Sequence, residues 1–315
     1  MKKILVTGAM GQIGSELTMY LRSIYGNNNV VASDVKDKGG KASRTGPFEI
    51  VDVLNGSKIR EIVEKLNIDT IIHLAALLSA TAEANPTLAW NINMGGLFNV
   101  LEVAKSQECA VFTPSSIAAF GPGTPKNNTP QDTLQRPTSI YGVTKVSGEL
   151  LCDYYFKKFG VDTRGVRFPG LISSGTLPGG GTTDYAVHIY YEALKNHKYS
   201  CYIKEGTYLD MMYLPDALGA ITTLMEADPS KLIHRNAFNI TAMSVAPENI
   251  YTEIKKHIPD FIMDYKIDPV KQEIADSWPD SLDDSVARAE WGWNPKYDLS
   301  SMTVDMLEKL KDKLL

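Results

Sequence analysis

Short apolar runs alternate with longer stretches of helical period through the first half of the chain. Runs of strand length are Lys3–Thr7, Val30–Asp34, Phe48–Val51, Thr70–Leu74, Ala110–Ser115 and Asp162–Arg167. Between them apolar residues recur every three to four positions, which predicts helices over Gly11–Tyr25, Lys58–Leu66, Leu88–Ser106 and Ser139–Phe159. The strand runs are apolar almost throughout, as strands buried on both faces are. The alternation predicts an α/β fold, a Rossmann-type doubly wound parallel sheet with helices on both sides.

Two of the helices carry apolar residues all round. In one, Trp90, Met94, Leu97, Leu101 and Ala104 follow the helical period while Ile92, Val100 and Val103 fill the opposite side. The other carries Val143, Val146, Leu150, Leu151, Tyr154, Tyr155 and Phe159, with Gly160 as its stop. A helix apolar on two faces needs two partners. Either a cap domain lies over each, or a second copy of the chain packs on both to make a homodimer.

After Arg167 the pattern breaks. Pro169, Gly175 and Gly179-Gly180-Gly181 mark irregular chain, and short elements punctuated by proline follow. This predicts a smaller C-terminal substrate-binding region laid over the sheet. The expected division is 1–170 with 212–242 for the parallel-sheet part, and 171–211 with 243–315 for the cap.

Composition narrows the function classes. At 315 residues and 43% hydrophobic content the chain can bury a sizeable core. A net charge of −5 without long charge runs speaks against a nucleic-acid partner. Cys109, Cys152 and Cys201 are scattered and odd in number, so they read as buried thiols in a reducing compartment; no metal site is expected. The first apolar run stops at Thr7-Gly8, too short for a signal peptide, and nothing approaches the ~20 apolar residues that cross a bilayer. A cytoplasmic enzyme without a membrane partner is expected.

Glycines at 8, 11 and 14 follow the first strand and open a helix, in the run Thr7-Gly8-Ala9-Met10-Gly11-Gln12-Ile13-Gly14. Glycine permits the tight turn and the close approach of a dinucleotide, and the helix N-terminus offers free N–H groups to its pyrophosphate. Asp34 ends the second strand, where it would take a ribose hydroxyl and repel a 2′-phosphate, so the cofactor expected is NAD. Asp52 and Val53, after the third strand, reach the adenine, or Asp52 is a solvated loop acid. Leu74, Ala75 and Ala76 end the fourth strand with side chains small enough for backbone to lie against ribose and nicotinamide. His73 reads as a core histidine rather than a base.

Tyr141 and Lys145 are four residues apart and share one helix face. A phenol of pKa ~10 is a poor base near neutrality, and lowering it by ~3 takes about 4 kcal/mol. A lysine ammonium and an oxidised nicotinamide supply charge of the right sign. Ser116, or failing that Ser115, ends the fifth strand at the carboxyl edge, placed to hold a substrate oxygen. The alternative is a pair of serines capping a strand end.

These residues together resemble the extended class of the short-chain dehydrogenase/reductase superfamily. The likeness covers the glycine loop, Asp34, His73–Ala76, Asn93 with Gly96, Ser115-Ser116, the Tyr141/Lys145 pair and Arg167-Phe168-Pro169-Gly170. It implies that Asn93 and Pro169 join Gly8, Gly11, Gln12, Ile13, Gly14, Tyr141 and Lys145 at the cofactor. The runs Phe120–Lys126, Gly181–Ala186, Met211–Asp216, Asn239–Ala242 and Ser277–Asp283 are similar to the epimerase-like L-threonine 3-dehydrogenases. That resemblance implies NAD-dependent oxidation of the L-threonine β-hydroxyl to 2-amino-3-oxobutyrate, with Tyr141 as base, Lys145 and Ser116 beside it, and a homodimer. It places Ser79, Gly181, Thr182, Thr183 and Trp278 at the substrate, the 181–183 run toward its carboxylate. Trp278 either closes the pocket as a lid or packs as plain core.

The alternative function is an NAD-dependent nucleotide-sugar epimerase of the same fold. Such enzymes usually carry a glycine after the Asn-Ile of a late strand, where this chain has Asn239-Ile240-Thr241, and Arg235 is the one arginine nearby for a second phosphate pair. Ile117 and Ala118 follow Ser116 where dehydratases carry acids. A non-catalytic nucleotide sensor would have lost the Tyr141/Lys145 pair.

Overall fold

Alternate residues of the first strands point to opposite helical layers, and this decides the architecture. The computed structural model describes residues 1–177 and 179–314. In chain order its strands are β1 (Ile4–Thr7), β2 (Val30–Asp34), β3 (Phe48–Ile50), β4 (Thr70–His73), β5 (Ala110–Phe112), β6 (Ser115–Ser116), β7 (Thr163–Arg164), β8 (Val166–Phe168), β9 (Gly170–Ile172), β10 (Lys198–Cys201), β11 (Leu209–Tyr213), β12 (Phe238–Asn239), β13 (Met243–Val245) and β14 (Ile262–Tyr265). The main sheet runs β3-β2-β1-β4-β5-β7, all parallel. The chain winds outward from β1 in both directions, so the switch point lies between β1 and β4, where ligands bind in such sheets.

Ile4 and Val6 pack with Leu17 and Leu21 of helix Gln12–Tyr25 and with Leu218 and Ile221 of helix Leu214–Glu226. Leu5 and Ile71 face the other way, onto Ile59 and Ile62 of helix Gly56–Leu66 and Val100 and Leu101 of helix Gly96–Gln107. Full burial of each such side chain is worth ~1.5–3 kcal/mol, so the sheet is clamped between two apolar layers. A third core gathers Tyr185, Tyr190, Phe261, Met302 and Met306 between helices Tyr185–Asn196 and Leu299–Leu314, beyond the carboxyl edge of the sheet. The doubly wound fold is as the pattern predicts.

Several boundaries differ, and each difference has a local cause. The run Ala110–Ser115 is two strands, because Pro114 has no N–H to continue the ladder. The run Asp162–Arg167 breaks beside it at Gly165, whose Cβ position lies 2.5 Å from the Thr113 carbonyl. There β6 and β8 leave the main sheet and join β12 in a second one. The helix expected over Leu88–Ser106 starts at Pro86 and passes through one π turn, Asn91–Gly95, before continuing as Gly96–Gln107. Helices Gly56–Leu66 and Ile140–Phe159 are capped by the side chains of Asn55 and Ser139, and Gly160 ends the latter in the left-handed conformation as expected.

The reading in which a cap domain covers both doubly apolar helices is not what the chain does. Trp90 is 44% exposed, Phe98 49%, Leu150 63% and Tyr154 53%. Their inner residues, Leu97, Val100, Leu101, Cys152 and Tyr155, are buried against the sheet.

Candidate active site

Gly8 turns the chain at the end of β1 with φ +70°, and its Cβ position lies 2.8 Å from the Ala75 backbone nitrogen. The loops after β1 and β4 therefore touch, which only glycine allows. Gly14 is as tight, with the Gly8 carbonyl 2.2 Å from its Cβ position. Gly11 caps the following helix without a side chain, leaving the first-turn N–H groups of Gln12, Ile13 and Gly14 open to an anion. Asp34 accepts from Met10 N at 2.9 Å and from Val35 N at 2.9 Å, so β2 and the glycine loop are tied together.

A cavity of about 220 Å³ opens beside this loop. Gly8, Gly11, Gln12, Ile13, Gly14, Leu74, Ala76, Ser116, Tyr141, Lys145 and Pro169 line it, and so do Ser79, Gly181, Thr182, Thr183 and Trp278. Most of the expected cofactor and substrate residues thus come together in one cleft. Five others stand outside its walls. Ala75 and Asn93 line a smaller cavity next to Lys145. Asn93 sits in the π turn, pairs with both Leu77 N and Leu77 O, and donates to Thr144 Oγ1, so it pins the β4 loop to the Tyr141 helix. Asp34 holds the glycine loop. The exposed Asp52 accepts from Leu54 N, and Val53 is buried against Gly96. His73 is buried beside Thr7 Oγ1, 2.9 Å from Nδ1; burial and the Lys145 charge push its pKa down to about 3, so it is a neutral core histidine.

Helix Ile140–Phe159 presents Tyr141 and Lys145 on the same side, with Lys145 Nζ 5.4 Å from the Tyr141 ring centre. Burial raises the Tyr141 phenol to about 12, while the neighbouring Ser116 hydroxyl acts in the opposite direction. Burial lowers Lys145 to about 8, against the pull of Glu149. Lys145 donates to the Pro114 carbonyl at 2.7 Å, an acceptor that the break between β5 and β6 sets free. The two serines separate by role. Ser115 donates to Glu149, whereas Ser116 caps the turn Ile117–Ala119 and sits beside Tyr141.

The side of the cleft away from the glycine loop is built from two segments. Asp184 accepts from Gly180 N at 2.9 Å and Gly181 N at 2.7 Å and so folds the glycine run over the cleft. Burial raises its pKa, against those two N–H groups. Opposite, Trp278 is buried and continuous with the third core. The backbone around it is bonded on both sides, so it forms a wall of the cleft in this structure. The pocket also takes Leu78, Ile117, Phe168, Leu171 and Asp184, which sequence reasoning did not single out. Asp184 follows the Gly-Thr-Thr run directly and was within reach of it. The apolar four carry no signal that separates them from core.

Two buried polar atoms in this cleft have no partner among the described residues: Gln12 Nε2, at the glycine loop, and Thr182 Oγ1, in the substrate segment. Buried polar groups are almost always bonded, and a ligand atom in the cleft would complete both. With the open helix N-terminus and the Cβ-free turn, they fit a dinucleotide and a polar substrate side by side. Among the described residues no group of three or more His, Cys, Asp or Glu side chains is placed to hold a metal, and no helix is long and apolar enough to cross a membrane.

A doubly wound sheet with this loop and a Tyr/Lys pair at its carboxyl edge defines a nucleotide-dependent enzyme class, and comparison with known proteins agrees. The model of the NAD-dependent epimerase/dehydratase family matches residues 4–260, and the chain belongs to that family, whose cofactor is NAD. A Staphylococcus saprophyticus protein described as an uncharacterized epimerase/dehydratase is 59% identical over 99% of this chain and 98% of its own. A solved L-threonine dehydrogenase of Clostridium difficile is 65% identical, with a TM-score of 0.98 over 99% of this chain and 98% of its own. Another, from Phytophthora infestans, is 51% identical with a TM-score of 0.96, covering 99% and 100%.

Proposed function

We propose that the chain is an NAD-dependent L-threonine 3-dehydrogenase, oxidising the β-hydroxyl of L-threonine to give 2-amino-3-oxobutyrate. The observation that carries it is the cleft itself. One cavity joins the Tyr141/Lys145/Ser116 cluster to Ser79, Thr182, Asp184 and Trp278. The likeness to solved L-threonine dehydrogenases at 65% and 51% identity supports the substrate.

The glycine loop, Gln12, Asp34, Pro169 and the backbone of Leu74–Ala76 would hold NAD, with Asp52 and Val53 toward the adenine. NAD supplies a hydride acceptor and, when oxidised, a positive charge. The residues do the rest. Tyr141 as phenolate would take the hydroxyl proton as the hydroxyl-bearing carbon is oxidised to a ketone. Ser116 donates to the same oxygen. Bringing a phenol from about 12 to neutrality takes ~7 kcal/mol. That is the work asked of the Lys145 ammonium and the cofactor charge together. Thr182 Oγ1 and the N–H groups of Thr182 and Thr183 would meet the substrate carboxylate, and the Asp184 carboxylate is of the sign to meet its ammonium. The apolar walls exclude water and hold the reacting groups in place.

A nucleotide-sugar substrate fits less well. Asn239 is buried and bonded to Arg167, Gln131 and Thr129, and Thr241 bonds Asp210, so this strand end is interior rather than a phosphate cradle. Arg235 is held by Asp162 and the Pro229 carbonyl and stacks 4.0 Å from the Phe156 ring centre. The exposed faces at Trp90, Phe98, Leu150 and Tyr154 support a homodimer through both helices.

The test is NAD reduction by the purified chain with L-threonine, with Tyr141→Phe alongside. Wild type turns over, and Tyr141→Phe loses about 10²–10⁴-fold in kcat while NAD affinity holds. Turnover of a UDP-sugar instead of threonine sinks the substrate assignment. Equal turnover by Tyr141→Phe sinks the mechanism.

A further inference from the structure

Lys145 lines not only the cleft but a second cavity of about 40 Å³, which it shares with Glu149 and Asn236. That is room for a few waters at ~10–15 Å³ each. Glu149 stands one helical turn after Lys145, on the same face. It is 8% exposed, and its carboxylate receives four donors: Arg167 Nη2 at 2.9 Å, Arg167 Nε at 3.1 Å, Gln135 Nε2 at 2.8 Å and the Ser115 hydroxyl. Arg167, itself 6% exposed, spends both Nη1 N–H groups on the Gln131 carbonyl at 2.8 Å and Asn239 Oδ1 at 3.0 Å.

Stability alone gives this pair little reason to exist, because apolar residues of the same volume often replace a buried ion pair without loss. What the pair has that such residues lack is a field and a set of anchors. Ser115, held by Glu149, lies between Pro114, whose carbonyl receives Lys145, and Ser116, which sits beside Tyr141. One carboxylate thus holds the turn that carries both the acceptor of Lys145 and the Ser116 hydroxyl, and shares a cavity with Lys145 itself.

We propose that Glu149 is a positioning residue for the reaction. Its carboxylate keeps the Lys145 ammonium charged and holds the Pro114–Ser116 turn, and Arg167 sets how much of that field Lys145 receives. The inference rests on the dehydrogenase reading above. The groups facing Lys145 are Tyr141, Glu149 and Cys152 on its own helix, His73 from β4, and Arg167 from β8 through Glu149. His73 is neutral and the buried Cys152 thiol is pushed far above its usual range, so Glu149 supplies the negative charge. Lys145 is charged below about 8 and loses its proton above. The ammonium that stabilises the Tyr141 phenolate is therefore lost on the alkaline side.

The experiment is an NMR titration of the full chain labelled with [ε-¹³C]lysine, with Lys145→Met to assign the signal, in Glu149→Gln, Arg167→Met and the double variant. Glu149→Gln moves the Lys145 midpoint down by about one pH unit, a tenfold loss of the charged form on the alkaline side. Arg167→Met moves it up, and the double variant moves it down by a smaller step. The alkaline limb of kcat for L-threonine follows in the same directions. A midpoint that stays put while kcat falls equally at every pH overturns the proposal and leaves Glu149 a purely structural residue. Should Glu149→Gln fail to fold, the double variant leaves no unpaired buried charge and carries the same test. The titration needs neither cofactor nor substrate. If the midpoints move as stated but wild type does not oxidise L-threonine, the substrate assignment falls and the role of Glu149 stands.

Discussion

Trp278 and Thr182 face one cleft from segments anchored by different means. Around Trp278 the chain is stitched into its neighbours. Asp280 N and Ser281 N donate to the Lys126 carbonyl, Thr129 N to the Ser281 carbonyl, Asp283 N to the Thr129 carbonyl, and Leu282 N to the buried Asp210 carboxylate. Before Thr182 the described residues of 173–181 are held chiefly through side chains. Ser173 bonds Glu16, Thr176 meets Ser15, Lys313 Nζ reaches the Gly175 carbonyl at 2.7 Å, and Asp184 receives Gly180 and Gly181. Leu177 in this stretch is 57% exposed. A wall tied by backbone bonds and a buried indole opens only with the fold. A wall tied by a few side chains has a low local opening energy, as ligand-binding loops do.

Substitutions in the two walls should therefore fail in different assays. The largest effect on stability is expected from Trp278→Ala, which empties part of the third core and lowers the unfolding free energy by about 3 kcal/mol. Chemical denaturation reads this, and an unchanged midpoint would mean that Trp278 is only a pocket residue. Asp184→Asn weakens two charge-assisted bonds in the loop, each of order 1 kcal/mol. It should raise KM for L-threonine about tenfold with little change in the unfolding midpoint, and a loss of stability matching that of Trp278→Ala would erase the contrast between the walls. The smallest effect belongs to Lys313→Met, an exposed anchor on the C-terminal helix. Amide exchange over 173–181 should speed up while kcat/KM changes no more than about threefold, since surface contacts of this kind are worth ~1 kcal/mol or less.

Much of the nucleotide half was legible in the sequence because its determinants are local. Ile4–Thr7 and Val30–Asp34 are apolar runs that can only be buried strands, and Gly8 and Gly14 are where a side chain would strike backbone. Tyr141 and Lys145 are linked by helical spacing alone. The substrate half was less legible. Ser79, Thr182 and Trp278 were reachable by resemblance to a known family, and no spacing in the chain relates them. The apolar lining, Leu78, Ile117, Phe168 and Leu171, looks like any core.

What the sequence determined by itself was thus the doubly wound frame, the turn that a dinucleotide needs and the pairing of phenol with amine. Each follows from forces between residues a few positions apart. Only the tertiary structure decided that Ser116 and not Ser115 is left beside Tyr141, because Glu149, 34 residues beyond Ser115, takes the hydroxyl of Ser115. It likewise decided that Trp278 is buried against the third core and that Arg167 pairs with Glu149 in the cavity wall next to Lys145. Those outcomes depend on burial and on which distant donors fill a carboxylate, and neither is written in any local pattern.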